Sequence, residues 1–299
     1  MSQLQTALQR GVFAITAEMA PPKGHDFTEQ LQTATLLKDN VHGINVTDMQ
    51  SACLKASSLG LCIHLKQAGL APILQVTGRD RSRMAILGDL LAAASFGIDT
   101  MLALTGDLPV VGDCKQSKPV YDLDSVGILN MLTQMELSGC DCGGNLLSDP
   151  TPHYFKGAAV TPVYEPMVLQ INKLRQMVEA GAGFIQTQGI FDVEGLKRFL
   201  DTADKANIHV PIMAGIIPLK SAGMAKFMNQ NVPGIAVPQS QIDRLAEAKA
   251  NGGSPALLGM ELAAELIARI KDENLCPGVH IMAIGAEKNI PTILKKAGI

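Results

Sequence analysis

The sequence alternates short apolar runs with amphipathic segments, and this alternation restricts the fold more than any other feature. Apolar residues recur at helical spacing after nearly every run, as with Leu87, Leu90 and Ala94. Such alternation predicts parallel strands joined by right-handed crossovers. The β-prone runs lie at residues 12–17, 43–47, 71–77, 100–104, 157–160, 184–187, 211–217 and 279–284. Eight strand–helix units in 299 residues predict a single α/β domain, a (β/α)₈ TIM barrel covering residues 1–299.

Two connections are longer than the others and contain several Gly, Pro and charged residues. They cover about residues 108–124 and 138–155. Long connections inside a compact α/β protein often form lids or clamps, so we expect both to be functional insertions. The second contains Cys140 and Cys142, and the other four cysteines are scattered. Zinc and iron–sulfur sites usually require CxxC-type pairs, so we predict reduced thiols and no metal.

Composition excludes several classes of partner. The net charge is −3 and no long basic run occurs, which argues against nucleic acid or an anionic membrane as the main partner. No apolar run approaches the roughly 18–20 residues of a membrane span. The polar residues 1–10 lack the apolar core of a signal peptide. These features predict a soluble, cytoplasmic protein.

Polar residues follow the apolar runs at the points where the predicted strands end. Glu18 is the most informative, because it ends an apolar run and Pro21 and Pro22 follow at once. In a (β/α)₈ barrel the active site lies at the carboxyl ends of the strands, where such side chains converge. Each residue taken alone could equally be a solvated turn residue or a helix cap. The full set is Glu18, Thr47, Asp48, Gln75, Thr105, Gly106, Asp107, Thr161 and Gln188.

A cluster of charge begins the helix that follows the third strand. Arg79, Arg81 and Arg83 could together hold a diphosphate, helped by the helix N-terminus. A solvated cap with local ion pairs is the alternative. The pair Gly181 and Gly183 precedes a strand and lacks a third glycine, so it is not a dinucleotide fingerprint.

Several of these strand ends resemble one known family in sequence and in order. The segments are Ala17-Glu18-Met19-Ala20-Pro21-Pro22, Asn45-Val46-Thr47-Asp48, Leu104-Thr105-Gly106-Asp107-Leu108-Pro109 followed by Tyr121, the stretch from Glu179 to Gln188 with Phe191-Asp192, and Ala214-Gly215-Ile216-Ile217-Pro218. Over essentially its whole length the chain resembles the methylenetetrahydrofolate reductases, which are flavin-dependent (β/α)₈ barrels. No single segment is specific, but the set in this order is.

The resemblance implies noncovalently bound FAD, with FMN less favoured, and reduction of 5,10-methylenetetrahydrofolate to 5-methyltetrahydrofolate. It places the catalytic acid on Glu18, the flavin-side aspartate on Asp107 and the folate-contacting glutamine on Gln188. Glu18, Asp107 and Gln188 would contact the substrate. The expected cofactor contacts are Thr47, Asp48, Gln75, Arg79, Thr105, Gly106, Asp107, Tyr121, Asp122, Val160 and Thr161.

The chemistry of this reaction suits those residue types. The five-membered ring of the substrate must open to an iminium before it accepts hydride, and opening requires a proton on N10. A carboxylic acid at the barrel mouth can deliver that proton. The hydride would come from N5 of the reduced flavin, so the cofactor carries the redox step and the protein orients it.

The chain also departs from the family pattern. Thr105, Ile73 and Met177 replace an Arg, a His and a Lys, and Gly285-Ala286 replaces an Asn-Arg pair. The pattern is similar to the short forms of acetogenic and related anaerobic bacteria, which often work beside a zinc- or iron–sulfur-containing partner subunit. The resemblance therefore leaves the electron donor open between NAD(P)H and a reduced partner subunit, and a homo-oligomer is also compatible with it. It implies a place in one-carbon metabolism, in acetogenesis or methionine biosynthesis.

Two other functions fit the barrel and its polar strand ends. One is a folate- or pterin-binding methyltransferase-type barrel that needs no flavin. The other is a noncatalytic subunit of a redox complex.

Overall fold

The computed structural model describes residues 1–299 and contains a closed barrel of eight parallel strands, each paired with its neighbour in chain order. The barrel closes where Thr16 of the first strand lies opposite His280 of the last. The strands are β1 Ala14–Met19, β2 Gly43–Val46, β3 Pro72–Thr77, β4 Thr100–Leu104, β5 Phe155–Val160, β6 Phe184–Gly189, β7 Ile212–Ile216 and β8 Gly278–Ile281. The predicted (β/α)₈ barrel is therefore confirmed.

Eleven helices surround or close the barrel. They are α1 Gln3–Gln9, α2 Thr28–Leu37, α3 Ser58–Gln67, α4 Arg83–Ser95, α5 Ser125–Ser138, α6 Met167–Glu179, α7 Val193–Lys205, α8 Ala222–Asn231, α9 Gln239–Ala250, α10 Pro255–Asp272 and α11 Ile290–Lys296. Short 3₁₀ turns lie at Gln50–Ala52, Pro109–Val111 and Glu287–Asn289. None of the helices combines the length and the apolar character that crossing a bilayer requires.

Helix α1, which the sequence analysis did not predict, closes the amino-terminal end of the barrel. Ser2 caps it by accepting a hydrogen bond from the Gln5 amide. Its buried Leu4 and Ala7 pack against one layer of strand side chains. That layer consists of Ala14, Ile73, Leu102, Phe184 and Met213. Ile73, which stands where the family carries His, thus belongs to an apolar plug at this end.

The next layer inside the barrel is polar, although barrel interiors are usually filled by branched apolar side chains. Thr16, Asn45, Gln186 and His280 are all at most 3% exposed. Because side chains alternate along a strand, Thr16 lies two residues above Ala14 and two below Glu18 on the same face of β1. This polar layer forms the floor beneath the carboxyl ends of the strands.

The two long connections lie at different places. Residues 108–124 follow β4 and therefore begin at the carboxyl end of the strands. Residues 138–155 connect the end of α5 to the start of β5, so they begin and end on the opposite face. Leu147 packs on the main core, and the Tyr154 hydroxyl donates to the Leu90 carbonyl. None of these residues lines the pocket described below, so the second insertion does not form a lid over it.

Candidate functional site

A pocket of about 370 Å³ lies at the carboxyl ends of the strands. It is bounded by polar residues that end the strands and by backbone of the loops that follow them. Most of the residues predicted from the strand ends line it: Glu18, Asp48, Gln75, Arg79, Thr105, Gly106, Asp107, Val160, Thr161 and Gln188. The barrel therefore brings together side chains from six strands that are far apart in the sequence.

Glu18 lies inside β1, and its side chain is only 12% exposed. The Gln50 amide donates to Glu18 Oε1 at 3.1 Å. On the other side, His280 Nε2 lies 3.7 Å from Glu18 Oε2. Neither Gln50 nor His280 was among the predicted site residues. The acid thus has an amide donor from the loop after β2 and an imidazole from β8 on its two sides.

A buried hydrogen-bond network fixes His280 from below. Asn45 and Gln186 form a reciprocal amide pair, with Asn45 Nδ2 donating at 2.8 Å and Gln186 Nε2 donating at 3.1 Å. Gln186 Nε2 also donates to Thr16 Oγ1 at 3.0 Å. Thr16 Oγ1 lies 2.9 Å from His280 Nδ1. Thr16 Oγ1, which accepts from Gln186, therefore connects the Nδ1 edge of the His280 ring to this network, and the Nε2 edge faces Glu18.

The sequence contains a signal for this network, a polar residue two positions before each of three strand ends. Thr16, Asn45 and Gln186 stand two residues before the strand-end residues Glu18, Thr47 and Gln188. Since side chains on one face of a strand recur every second residue, each must point into the barrel below its partner. Applying the period of two to the strand ends would have predicted the polar floor.

Asp48 lines the pocket, but its carboxylate is directed at β3 and at the start of α4. Asp48 Oδ2 accepts from the amide and the hydroxyl of Thr77 at 2.8 and 2.9 Å. The Arg81 guanidinium donates to both carboxylate oxygens, from Nη1 to Oδ2 at 2.5 Å and from Nη2 to Oδ1 at 3.0 Å. Burial opposes the charge of Arg81, yet its hydrogen bonds and the charge of Asp48 raise its pKa above the ordinary value. The carboxylate therefore links the end of β2 to Thr77 of β3 and to Arg81 before α4. Because the Asp48 side chain is fully buried, it is not accessible to a cofactor.

The arginine cluster does not form an open diphosphate site. Arg79 lines the pocket, but its guanidinium bonds to Asp80 and to the carbonyls of Met49 and Asp107. Arg81 is held by Asp48, and Arg83 by Asp122. The hydrogen bonds from Arg83 lower the pKa of Asp122 to about 2. The alternative of local ion pairs at a helix start therefore describes the cluster correctly.

Tyr121 and Asp122 lie outside the pocket lining. The Tyr121 hydroxyl donates to the Gly106 carbonyl at 3.1 Å, and Asp122 holds Arg83. Both residues thereby shape the loop that carries Gly106, and neither presents its polar group to the pocket.

Lys173 of α6 also lines the pocket, and it forms no ion pair. It lies one helical turn before Met177, the position where the family carries Lys. Met177 itself is 1% exposed and belongs to the main core. The pocket therefore has an unpaired cation on α6 that can bind an anionic group. It lies four residues before Met177, the position where the family carries Lys.

Other polar groups around the pocket lack partners within the protein. The Thr47 hydroxyl is buried and makes no hydrogen bond, although buried polar groups are normally paired. Thr47, a predicted cofactor contact, lies outside the pocket lining. The side chains of Gln75 and Asp107 line the pocket without a hydrogen bond, and Gln75 is only 5% exposed. Gln188 accepts from the Gly189 amide through Oε1, which leaves its Nε2 donors free. The side chains of Gln75, Asp107 and Gln188 are therefore available to a ligand.

The fold and the pocket together define a (β/α)₈ barrel protein with a polar site at the usual active-site end of the barrel. The family model described as methylenetetrahydrofolate reductase matches residues 3–298. The chain belongs to the methylenetetrahydrofolate reductase family.

Individual relatives agree with this assignment. "Methylenetetrahydrofolate reductase 2" of Schizosaccharomyces pombe is 28% identical over 216 residues, which cover 70% of this chain and 33% of that protein. "5,10-methylenetetrahydrofolate reductase" of Buchnera aphidicola is 28% identical over 210 residues, covering 68% of this chain and 64% of that one. The chain thus spans about a third to two thirds of the length of these relatives.

A solved structure shares the fold over almost the whole chain. It is a Clostridium thermocellum protein described as binding two copies of 5-methyl-5,6,7,8-tetrahydrofolic acid. The two chains are 16% identical, each is covered to 99%, and the TM-score is 0.65.

Proposed function

We propose that this chain reduces 5,10-methylenetetrahydrofolate to 5-methyltetrahydrofolate in a flavin-dependent reaction. Membership of the family supports the reaction class. The observation that carries the proposal is the convergence of Glu18, Asp107 and Gln188 on one pocket. An acid, a carboxylate and an amide donor are the groups that opening and reducing this substrate requires. The folate bound by the Clostridium thermocellum protein is consistent with a folate ligand here.

In this proposal Glu18 delivers the proton to N10 that opens the five-membered ring. Its position in β1 fixes the backbone, and Gln50 and His280 confine the carboxyl group from two sides. The Thr16–Gln186–Asn45 network holds His280 in place. Glu18 is therefore preorganised at the end of a rigid element, as general acid catalysis requires.

Asp107 and Gln188 orient and stabilise the substrate. The unpaired carboxylate of Asp107 lies beside the pocket and can stabilise the positive charge that ring opening places on the iminium. Gln188 directs its Nε2 donors to an acceptor on the pterin edge, because its Oε1 is already held by Gly189. The two side chains thus act on different parts of the same molecule.

The unpartnered groups of the pocket fit a flavin. An isoalloxazine has a polar pyrimidine edge and a hydroxylated chain, and Gln75 and Asp107 supply an unpaired amide and an unpaired carboxylate. The ends of β4 and β5, at Thr105-Gly106 and Val160-Thr161, supply further polar lining. FAD bound there would supply the hydride for the one-carbon unit. The electrons would come from NAD(P)H or from a reduced partner protein.

Binding of FAD is the direct test of this proposal. Purified protein titrated with FAD is expected to retain flavin through gel filtration, with the visible absorbance of a flavoprotein. NADH, NADPH and a reduced iron–sulfur protein are then tried as reductants of the bound flavin. A protein that is colourless after gel filtration from excess FAD, yet binds 5-methyltetrahydrofolate, would contradict flavin dependence. This result would favour the methyltransferase-type alternative.

Replacing Lys173 by methionine is expected to weaken FAD binding about tenfold. Lys173 has no carboxylate partner and lines the pocket, so it is the residue best placed to meet the diphosphate. Equilibrium titration of flavin fluorescence measures the dissociation constant. Lys226→Met, at an exposed position on α8, serves as the matched control. Unchanged FAD affinity with weaker folate binding would instead place Lys173 at the carboxylate tail of the folate.

A further inference from the structure

The segment after β2 has an unusual backbone. Met49, Ser51 and Ala52 have φ of 50°, 55° and 54°, in the left-handed region that residues other than glycine rarely adopt. Gln50 lies between them. Such residues persist where the surrounding structure holds them, and they cluster at functional sites.

Three contacts hold this segment from its two sides. Arg79 Nη2 donates to the Met49 carbonyl at 3.2 Å. Gly112 packs so closely on Ala52 that a Cβ on Gly112 would lie 1.8 Å from the Ala52 carbonyl oxygen. Asp113 accepts from the Leu54 amide at 2.8 Å. The backbone around Gln50 is therefore fixed, while its exposed side chain lines the pocket.

In the structure the Gln50 amide donates to Glu18. A hydrogen bond donated to a carboxylate favours its ionised form. An acid catalyst needs the opposite, because Glu18 must carry a proton when the substrate is bound. Of the two neighbours of Glu18, His280 is buried and held by Thr16, whereas the Gln50 side chain is exposed and makes no hydrogen bond other than the one to Glu18.

We propose that Gln50 is a positioning residue that keeps Glu18 ionised in the free protein and is displaced by the pterin of the bound folate. Glu18 would then lose its amide donor when the substrate enters, and its protonated form would be favoured only in the complex. Binding of the substrate would therefore favour the protonated form of Glu18 that catalysis requires. This inference rests on the proposed reductase function.

Other charged groups around Glu18 stay the same when Gln50 is changed. The charged or titratable residues that line the pocket beside Glu18 are Asp48 after β2, Arg79 after β3, Asp107 after β4, Lys173 on α6 and His280 on β8. Their effect on the proton affinity of Glu18 is therefore common to the wild type and a Gln50 variant. A difference between the two proteins reports the amide alone.

The test compares the pH profiles of Gln50→Met and wild type with a saturating electron donor. The profile of kcat/KM follows the free protein, and that of kcat follows the complex. Because reduction needs protonated Glu18, both profiles fall as the pH rises. In Gln50→Met the descending limb of kcat/KM is expected to move upwards by about one pH unit, the scale of one hydrogen bond to a carboxylate. The limb of kcat is expected to remain in place.

A second variant and a control sharpen this test. Gln50→Asn is one methylene shorter, cannot reach Glu18 in the same way and is expected to show the same shift. Gln67→Met, at the exposed end of α3, should move neither profile. Unmoved kcat/KM in both Gln50 variants, or equal shifts of both profiles, would overturn the proposal while wild-type turnover still supports the reductase function. A wild type without turnover would overturn the function and this inference with it.

Discussion

Replacing Glu18 by glutamine is expected to lower the turnover of methylenetetrahydrofolate by about 10²–10⁴-fold, the usual range for loss of a general acid. Glutamine keeps the shape of the side chain but cannot deliver a proton to N10. Reduction of the bound flavin by the electron donor should continue at a rate close to that of the wild type, because that step requires no proton on the folate.

Measuring the two half-reactions separately by anaerobic stopped flow checks this expectation. The electron donor reduces the flavin in one experiment, and methylenetetrahydrofolate reoxidises it in the other. Glu247→Gln on α9 is exposed and serves as the control. Equal loss of both half-reactions would indicate a damaged flavin site, and unchanged reoxidation would remove Glu18 from the mechanism.

Replacing Asp48 by alanine is expected to lower the free energy of unfolding by about 3–5 kcal/mol. The change leaves Arg81, whose side chain is 16% exposed, without its bidentate partner. It also leaves the Thr77 amide and hydroxyl without their acceptor inside the protein. Asp89 remains 3.1 Å from Arg81 Nε, but it is itself partly exposed and bonds a different edge of the guanidinium.

Urea unfolding followed by circular dichroism measures this loss. Asp48→Asn, which retains the shape and some hydrogen bonds, should lie between the wild type and the alanine variant. Asp243→Ala, at an exposed position on α9, should change the stability by no more than about 0.5 kcal/mol. A loss below about 1 kcal/mol in Asp48→Ala would contradict a clamp between β2 and α4.

The barrel could be predicted because its signals are local. Each strand is a short apolar run, and the order of strands in a parallel barrel follows the order in the chain. Glu18 was recognisable as a strand-end residue even though β1 extends to Met19, beyond the predicted 12–17. The helix after β2 begins only at Ser58, and Met49, Ser51 and Ala52 before it adopt left-handed backbone that no local pattern reveals.

The partners of the charged residues could not be predicted, because ion pairs depend on distances across the fold. Arg79, Arg81 and Arg83 suggest a phosphate site when they are considered along the chain. In three dimensions Asp48 and Asp122 arrive from other loops to neutralise two of them. Lys173, by contrast, is one of many surface lysines in the sequence, and only the fold places it at the pocket.

The same limit explains why Gln50 and His280 were missed. Gln50 follows β2 by four residues and reaches Glu18 only through the unusual backbone around it. His280 lies in β8 beside Thr16 because the barrel closes β8 against β1, a pairing between residues 264 positions apart. The fold class was therefore accessible from sequence, while the environment of the acid required the three-dimensional structure.

A single turnover in the absence of oxygen is the most direct test of flavin-dependent reduction of methylenetetrahydrofolate by this protein. Protein reconstituted with FAD is reduced, freed of excess reductant and mixed with one equivalent of methylenetetrahydrofolate. Flavin absorbance is expected to return, and an equal amount of 5-methyltetrahydrofolate is expected to form. A reduced flavoprotein that binds the folate but neither reoxidises nor yields 5-methyltetrahydrofolate would contradict flavin-dependent reduction.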